Sequence, residues 1–90
     1  MRVSVLNQKQ VIYAGNVKEA VLPGEDGEFS VLDFHQPFLY RLRSGFIFLK
    51  GIHKENEEAA DSKEVKTENR IRIKDGVARM LGNELVICIT

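Results

Sequence analysis

The chain has 90 residues, of which 43% are hydrophobic and 29% are charged, a balance that fits one folded globular domain. Its 13 basic and 13 acidic side chains cancel to a formal net charge of zero. Because nucleic-acid binding usually shows as a basic excess, this balance argues against a nucleic-acid partner. No apolar run approaches the ~20 residues that a membrane-spanning helix needs, so the sequence predicts no direct membrane insertion.

Hydrophobic residues recur with a period of two along most of the chain, which is the spacing of β-strands. Late in the chain, Ile71 and Ile73 alternate with Arg70 and Arg72, as in a half-buried strand. The strand-like segments lie, in chain order, around Val3, Val11, Val17, Phe29, Leu39, Phe46, Ile71, Val77 and Val86. Because no helical spacers separate these short strands, the sequence predicts an all-β sandwich or barrel.

Glycines separate the segments, and two of the turns carry hairpin signals. Asp75-Gly76 has the composition of a tight hairpin turn. Gly82-Asn83 predicts a second hairpin, which joins residues 77–81 to residues 84–89. In the last run, the lone cysteine, Cys88, is predicted to be a small core residue. A single thiol forms no intramolecular disulfide and fits a reducing compartment.

Residues 53–69 break the pattern, because they are rich in charge and nearly free of large apolar side chains. Residues 54–61 have fair helix propensity, but a short helix without an apolar stripe is marginal in water. The sequence therefore predicts a solvated, mobile excursion between two strands, with a helix as the alternative.

Aromatic side chains are a second prominent feature. Strand alternation places several of them on the inner face of a sheet, and Phe46 is predicted to lie in the core. The exception is Phe34, which stands between Asp33 and His35 in a predicted loop. It is either an exposed apolar contact or a staple over the end of the sandwich.

The polar clusters do not form a recognisable catalytic, cofactor or metal site. The glycine-rich turn lacks a phosphate-loop signature, and the acidic residues near it lack EF-hand spacing. Ser30, Asp33 and His35 lie on one extended stretch and point in different directions, which disfavours a catalytic relay. His35, His53 and Cys88 match no zinc-ligand spacing. The sequence therefore predicts a non-catalytic protein without a cofactor.

One stretch, residues 21–37, has the sequence VLPGEDGEFSVLDFHQP. It resembles the signature of the ATP synthase epsilon subunit family, in which a Pro-Gly turn and acidic residues precede a strand, and a His stands two residues before a Pro. The leucine-rich strand and Gly turn at residues 39–47 continue the resemblance. The flanking segments agree as well, so the resemblance covers nearly the whole chain apart from residues 53–69.

The sequence departs from this family in two respects. Ser30, Asp33 and Gln36 stand where glycine, proline and alanine are common, which changes the stiffness of the loop and not the framework. The family also usually appends a two-helix C-terminal hairpin, whereas this sequence ends at Thr90. Inhibition by an extended hairpin is therefore not carried over.

The resemblance implies a flattened antiparallel β-sandwich that forms a single domain over residues 1–90. It implies a non-catalytic subunit of the central stalk, or rotor, of a rotary proton-translocating ATP synthase. In that role the domain binds the gamma subunit, contacts the c ring and couples ion flow to ATP synthesis. The expected location is peripheral, at the cytoplasmic face of the inner or plasma membrane.

The resemblance also implies two contact surfaces. The turn at residues 24–28 and the loop at residues 33–37 are expected to face the c ring together. The residues expected at the c ring are Glu25, Asp26, Glu28, Phe34 and His35. Those expected at the gamma subunit, because permanent interfaces have an apolar centre, are Phe38, Tyr40 and Leu42.

Two further expectations stay open. A stand-alone sandwich that binds a ligand or a carbohydrate is the alternative from another functional class, and it would carry aromatic residues on an exposed face. Exposed edge strands and an uncovered interface also make weak self-association of the isolated domain an expectation.

Overall fold

A computed structural model of the chain describes residues 1–52 and 68–90, which form nine β-strands. The predicted excursion at residues 53–69 lies outside the described residues, except for its last two positions, which begin a strand. The strands are β1 (Arg2–Leu6), β2 (Val11–Asn16), β3 (Glu19–Gly24), β4 (Gly27–Leu32), β5 (Phe38–Leu42), β6 (Gly45–Lys50), β7 (Glu68–Ile73), β8 (Gly76–Leu81) and β9 (Glu84–Ile89).

The strands join into one mixed, curled sheet in the order β2-β1-β9-β8-β5-β3-β6-β7, with β4 paired to β3. Two layers result: β2, β1, β9, β8 and β5 form one, and β4, β3, β6 and β7 form the other. The all-β sandwich is thus confirmed, with one departure from a wholly antiparallel arrangement. β1 runs parallel to β9, with Val3 beside Leu85 and Val5 beside Ile87.

One aliphatic core lies between the two layers. Val3 and Val5 enter it from β1, and Ile47 and Leu49 enter it from β6, all with no exposed surface. In each case the buried positions are two residues apart, because successive side chains of a strand point to opposite faces. The predicted period of two therefore corresponds to real inward and outward faces.

Two residues that the sequence assigns to the core lie outside it. Cys88 is exposed, because Leu85 and Ile87 take the inward positions of β9 and leave the thiol on the outer face. Phe46 is half-buried on the outer face of β6, because its neighbour Ile47 points inward. The core set consists of aliphatic residues with Met1 and Met80, and the aromatic rings of Tyr13, Phe29 and Phe38 pack against its margin.

Of the two hairpin signals, one is confirmed and one is wrong. Gly82-Asn83 joins β8 to β9 as a two-residue hairpin, with Gly82 at φ +68° and Leu81 opposite Glu84. Asp75-Gly76 instead carries the chain from β7 in one layer to β8 in the other, and these two strands are not paired. Gly76 is required there because a Cβ atom at this position would lie 2.7 Å from the carbonyl oxygen of Cys88.

Adjacent residues on β6 test the assignment of its two faces. We expect Ile47→Ala to lower the free energy of unfolding by about 2–5 kcal/mol, because it opens a cavity in the core. Phe46→Ala should cost about 1–2 kcal/mol, because the ring is partly exposed and its cation–π contacts are worth roughly 0.5–1 kcal/mol each. Urea denaturation of both variants measures the difference, and a larger loss for Phe46→Ala than for Ile47→Ala would place the phenyl ring inside.

Candidate protein-interaction surfaces

The β3–β4 hairpin ends in an exposed acidic tip, formed by Glu25, Asp26 and Glu28. The backbone closes tightly there, since Gly24 pairs with Gly27 and Gly27 has a φ of +134°. A backbone hydrogen bond anchors the tip to the end of β5, where the N–H of Glu25 donates to the carbonyl oxygen of Arg41 at 3.0 Å. This anchoring holds three carboxylates at one end of the sandwich.

Beside the acidic tip lies a shallow cleft of about 300 Å³. Phe29 and Tyr40 form part of its wall, with ring centroids 5.1 Å apart in an edge-to-face arrangement. The ring centroids of Phe38 and Tyr40 lie 5.2 Å apart in a stacked arrangement. The ring centroids of His35 and Phe38 also lie 5.2 Å apart, in an edge-to-face arrangement. This aromatic row runs from the cleft towards the loop at residues 33–37, so Phe38 and Tyr40 belong to the cleft side of β5.

The loop at residues 33–37 is fixed by its backbone and by Asp33. The N–H of Phe34 donates to Asn83 Oδ1 at 2.7 Å, and Asp33 accepts a hydrogen bond from the N-terminal ammonium group of Met1. Phe34 has a φ of +61°, which is uncommon for a bulky residue, and 78% of it is exposed. The structure therefore holds Phe34 outward as an exposed apolar side chain and not as a staple over the core.

The tip and this loop do not lie together, contrary to the expectation that residues 24–28 and 33–37 share one end. β4 runs between them, and a six-residue strand spans roughly 17–20 Å. Glu25 and Asp26 therefore stand at one end of β4, and Phe34 and His35 follow its other end. A contact that uses all of them would have to extend along the length of the strand.

The prediction that Leu42 contacts the gamma subunit is wrong, because only 1% of this residue is exposed and it belongs to the core. Its cross-strand partner, Gly76, is buried as well, so this position of the β5–β8 pair faces inward. Phe38 and Tyr40 share the parity of Leu42 on β5, but they lie nearer the margin, where Phe38 is half-buried and Tyr40 is exposed.

An apolar surface that the sequence did not predict lies on the other side of the same strand. Leu39 is 68% exposed, and Val77 and Leu81 on β8 are exposed as well. They share one outer face, because Leu39 pairs with Arg79 and Arg79 lies between Val77 and Leu81 in the alternation of β8. We call these three residues the outer apolar face. The signal in the sequence is a strand that is apolar at both odd and even positions, Val77-Ala78 and Met80-Leu81.

Two further structural features concern metal and membrane sites. Within residues 1–52 and 68–90, no three His, Cys, Asp or Glu side chains come together as a potential metal site. The same part of the chain contains no helix with the length and apolarity needed to cross a membrane.

The whole chain, residues 1–90, matches the profile of the family described as "ATP synthase, Delta/Epsilon chain, beta-sandwich domain". The chain belongs to this family. Similar members of the family are ATP synthase epsilon chains: that of Herminiimonas arsenicoxydans is 38% identical over 50 residues, and that of Maricaulis maris is 42% identical over 43 residues. These alignments cover 56% and 48% of this chain, and 36% and 32% of the two relatives. The chain thus spans about a third of the length of these epsilon chains.

Solved structures share the fold of this chain. The chain superposes on a chain of the Tetrahymena thermophila mitochondrial ATP synthase central stalk and c ring with a TM-score of 0.72 and 12% identity, covering 100% of this chain and 63% of that one. A chain of the Euglena gracilis mitochondrial ATP synthase gives a TM-score of 0.72 at 17% identity, covering 97% and 48%. At these identities the likeness establishes the fold.

The Asp33 contact predicts a pH dependence of stability. The hydrogen bond from the N-terminal ammonium group lowers the pKa of Asp33 below its ordinary value. A carboxyl group whose pKa is lower in the folded state than in the unfolded state stabilises the fold at pH values above its unfolded pKa of about 3.9. This contribution is lost as the pH falls through the lower pKa of the folded state. We therefore expect Asp33→Asn to melt at a lower temperature than the wild type near pH 6, with the difference closing at low pH.

Thermal melts between pH 2 and pH 6 measure this effect. The matched control is Asp26→Asn, because the Asp26 carboxylate has no hydrogen bond or ion pair within the described residues. A gap between wild type and Asp33→Asn that stays constant over the whole pH range would contradict the assignment.

Proposed function

We propose that this domain is a non-catalytic rotor component of an ATP synthase, which binds the gamma subunit and contacts the c ring to couple ion flow to ATP synthesis. The observation that carries the proposal is the match of all 90 residues to the delta/epsilon β-sandwich family. The similar solved chains, from a central stalk with c ring and from an F1 with c ring, are consistent with it. As part of such a complex, the domain would be peripheral to the membrane, at its cytoplasmic face.

The outer apolar face is the surface that best fits the gamma subunit. Permanent protein interfaces have an apolar centre and a polar rim. Leu39, Val77 and Leu81 supply the centre, and Arg41 and Arg79 lie among them on the same face. A contact with this face leaves the core undisturbed, because all these side chains point away from it. Phe38 and Tyr40, on the cleft side of β5, stay a separate prediction of gamma contact.

The acidic tip is the surface that best fits polar loops of the c ring. Glu25, Asp26 and Glu28 are exposed, and the tip is braced by the end of β5. Exposed charge pairs are worth about 0–1 kcal/mol each and are screened by salt, so such a contact depends on several carboxylates acting together. Phe34 and His35, beyond the other end of β4, stay a separate prediction.

The gamma contact is tested by Leu39→Glu. We expect this change to weaken the complex with a purified gamma subunit by about tenfold or more, because it places a charge at the centre of an apolar interface. Leu32→Glu is the matched control, since Leu32 is an exposed leucine on β4 in the other layer. Titration followed by size-exclusion chromatography measures binding, and thermal melts check the fold.

Either of two results would contradict this assignment. Equal weakening by the Leu39 and Leu32 variants would show that the outer apolar face is not the interface. Failure of the wild-type domain to bind a folded gamma subunit would contradict the rotor function itself, and it would favour the alternative of a ligand-binding sandwich.

The c-ring contact is tested by a charge series at the acidic tip, in the ATP synthase that contains this domain. We expect Asp26→Asn with Glu28→Gln to reduce ATP-driven proton pumping, and Asp26→Lys with Glu28→Lys to reduce it further, because repulsion replaces attraction. The thermal stability of the domain should stay unchanged, since both side chains are exposed. Normal pumping by the lysine variant, measured in reconstituted vesicles, would rule out this role for the tip.

A further inference from the structure

The outer face of β6 and β7 carries a cluster of aromatic and basic side chains that takes no part in the proposed contacts with the gamma subunit and the c ring. Phe46 pairs across the strands with Arg72, and Phe48 pairs with Arg70, so all four side chains share one face. The Arg70 Cζ atom lies 5.1 Å from the centroid of the Phe46 ring, and the Arg72 Cζ atom lies 5.6 Å from it. Two guanidinium groups are thus held by one aromatic ring.

The guanidinium groups of Arg70 and Arg72 meet no acidic partner among the side chains that the structure describes. Both arginines are exposed, and no carboxylate of residues 1–52 or 69–90 lies within ion-pair distance of either one. A guanidinium group presents its N–H donors in a planar fork that fits a carboxylate, and stacking on an aromatic ring reduces its freedom before a partner arrives. The cluster is therefore prepared to bind anionic groups.

The backbone beside this cluster is an edge. β7 stands at the end of the sheet order and pairs with β6, and it has no hydrogen-bonded neighbour on its other side among the described residues. An edge strand offers N–H and C=O groups to which an extended peptide can add as a further strand. Charged residues on an edge also discourage indiscriminate pairing, so a peptide that pairs here has to match the charge of the arginines.

We propose that β7 docks an extended acidic segment of another protein by strand addition. Arg70 and Arg72 stand two residues apart on one face, which is about 6.6–6.8 Å along the strand. The incoming strand carries Asp or Glu at alternate positions on that same face, where its carboxylates meet the two guanidinium groups. The partner segment is acidic because its charge complements the two arginines, and it is extended because it pairs with the edge of β7. This surface is separate from the outer apolar face, which lies on the other layer, and from the acidic tip.

The test uses the 90-residue chain and a fluorescein-labelled eight-residue peptide of alternating Glu and Thr, followed by fluorescence anisotropy. We expect the wild type to bind this peptide and to bind a Lys-Thr peptide at least tenfold more weakly. Arg70→Gln with Arg72→Gln should weaken binding roughly tenfold, because two charge-assisted pairs are lost. Arg41→Gln with Arg79→Gln is the matched control, since it removes the same charge from exposed positions on the other layer, and it should change binding less than twofold.

A second peptide separates strand addition from simple charge attraction. N-methylation of alternate Thr residues removes backbone N–H donors without changing charge, and we expect it to abolish binding. The double variant Arg70→Lys with Arg72→Lys keeps both positive charges and should bind with intermediate affinity. It tests the same contact if the glutamine variant misfolds. Any one of four results would overturn the proposal. In the first two, the Glu-Thr peptide does not bind detectably, or both glutamine variants weaken binding equally. In the other two, the methylated peptide binds as well as the unmethylated one, or the lysine variant binds with wild-type affinity.

Discussion

Burial of one largely aliphatic core between two layers that meet at β3 organises this fold. β3 pairs with β4, with β6 and, at its end, with β5, where Gly24 lies opposite Leu42. The junction is tight, because a Cβ atom on Gly24 would lie 2.7 Å from the Gly27 oxygen and 2.8 Å from the Phe29 ring. Only a glycine allows the hairpin tip, the cleft and the second layer to come together at this point.

The same constraint determines which side chains remain for partners. Because small and medium aliphatic residues fill the space between the layers, the aromatic rings and long polar side chains lie at the margin or outside. The outward positions then divide into three kinds of surface. One layer carries the outer apolar face with Leu39, the other carries Phe46 beneath two arginines, and the hairpin tip carries the acids. A chain with a formal net charge of zero thus presents surfaces of clearly different chemistry.

This separation suits a component that touches several partners at once. An apolar face favours a lasting contact, whereas a tip of exposed carboxylates favours a weaker, salt-sensitive one. Because they lie on different strands of the same sheet, one contact leaves the surface of the other uncovered. The family membership of the chain and this arrangement of surfaces therefore support the same proposed role in a rotor.

The strand content, the family and the hairpin at Gly82-Asn83 could be predicted from the sequence, because alternation and turn chemistry are local properties of neighbouring residues. The exposure of the acids at residues 25 and 26 could be predicted as well, since two adjacent carboxylates in a turn between glycines stay in contact with water. The choice of which alternate residues of each strand face the core depends on long-range packing. Both Phe46 and Ile47 are apolar, as are Leu39 and Leu42, and only the position of the opposite layer selects Ile47 and Leu42 for burial. The pairing partner of a strand is likewise a long-range property, which is why Asp75-Gly76 has the composition of a hairpin turn and yet connects two layers.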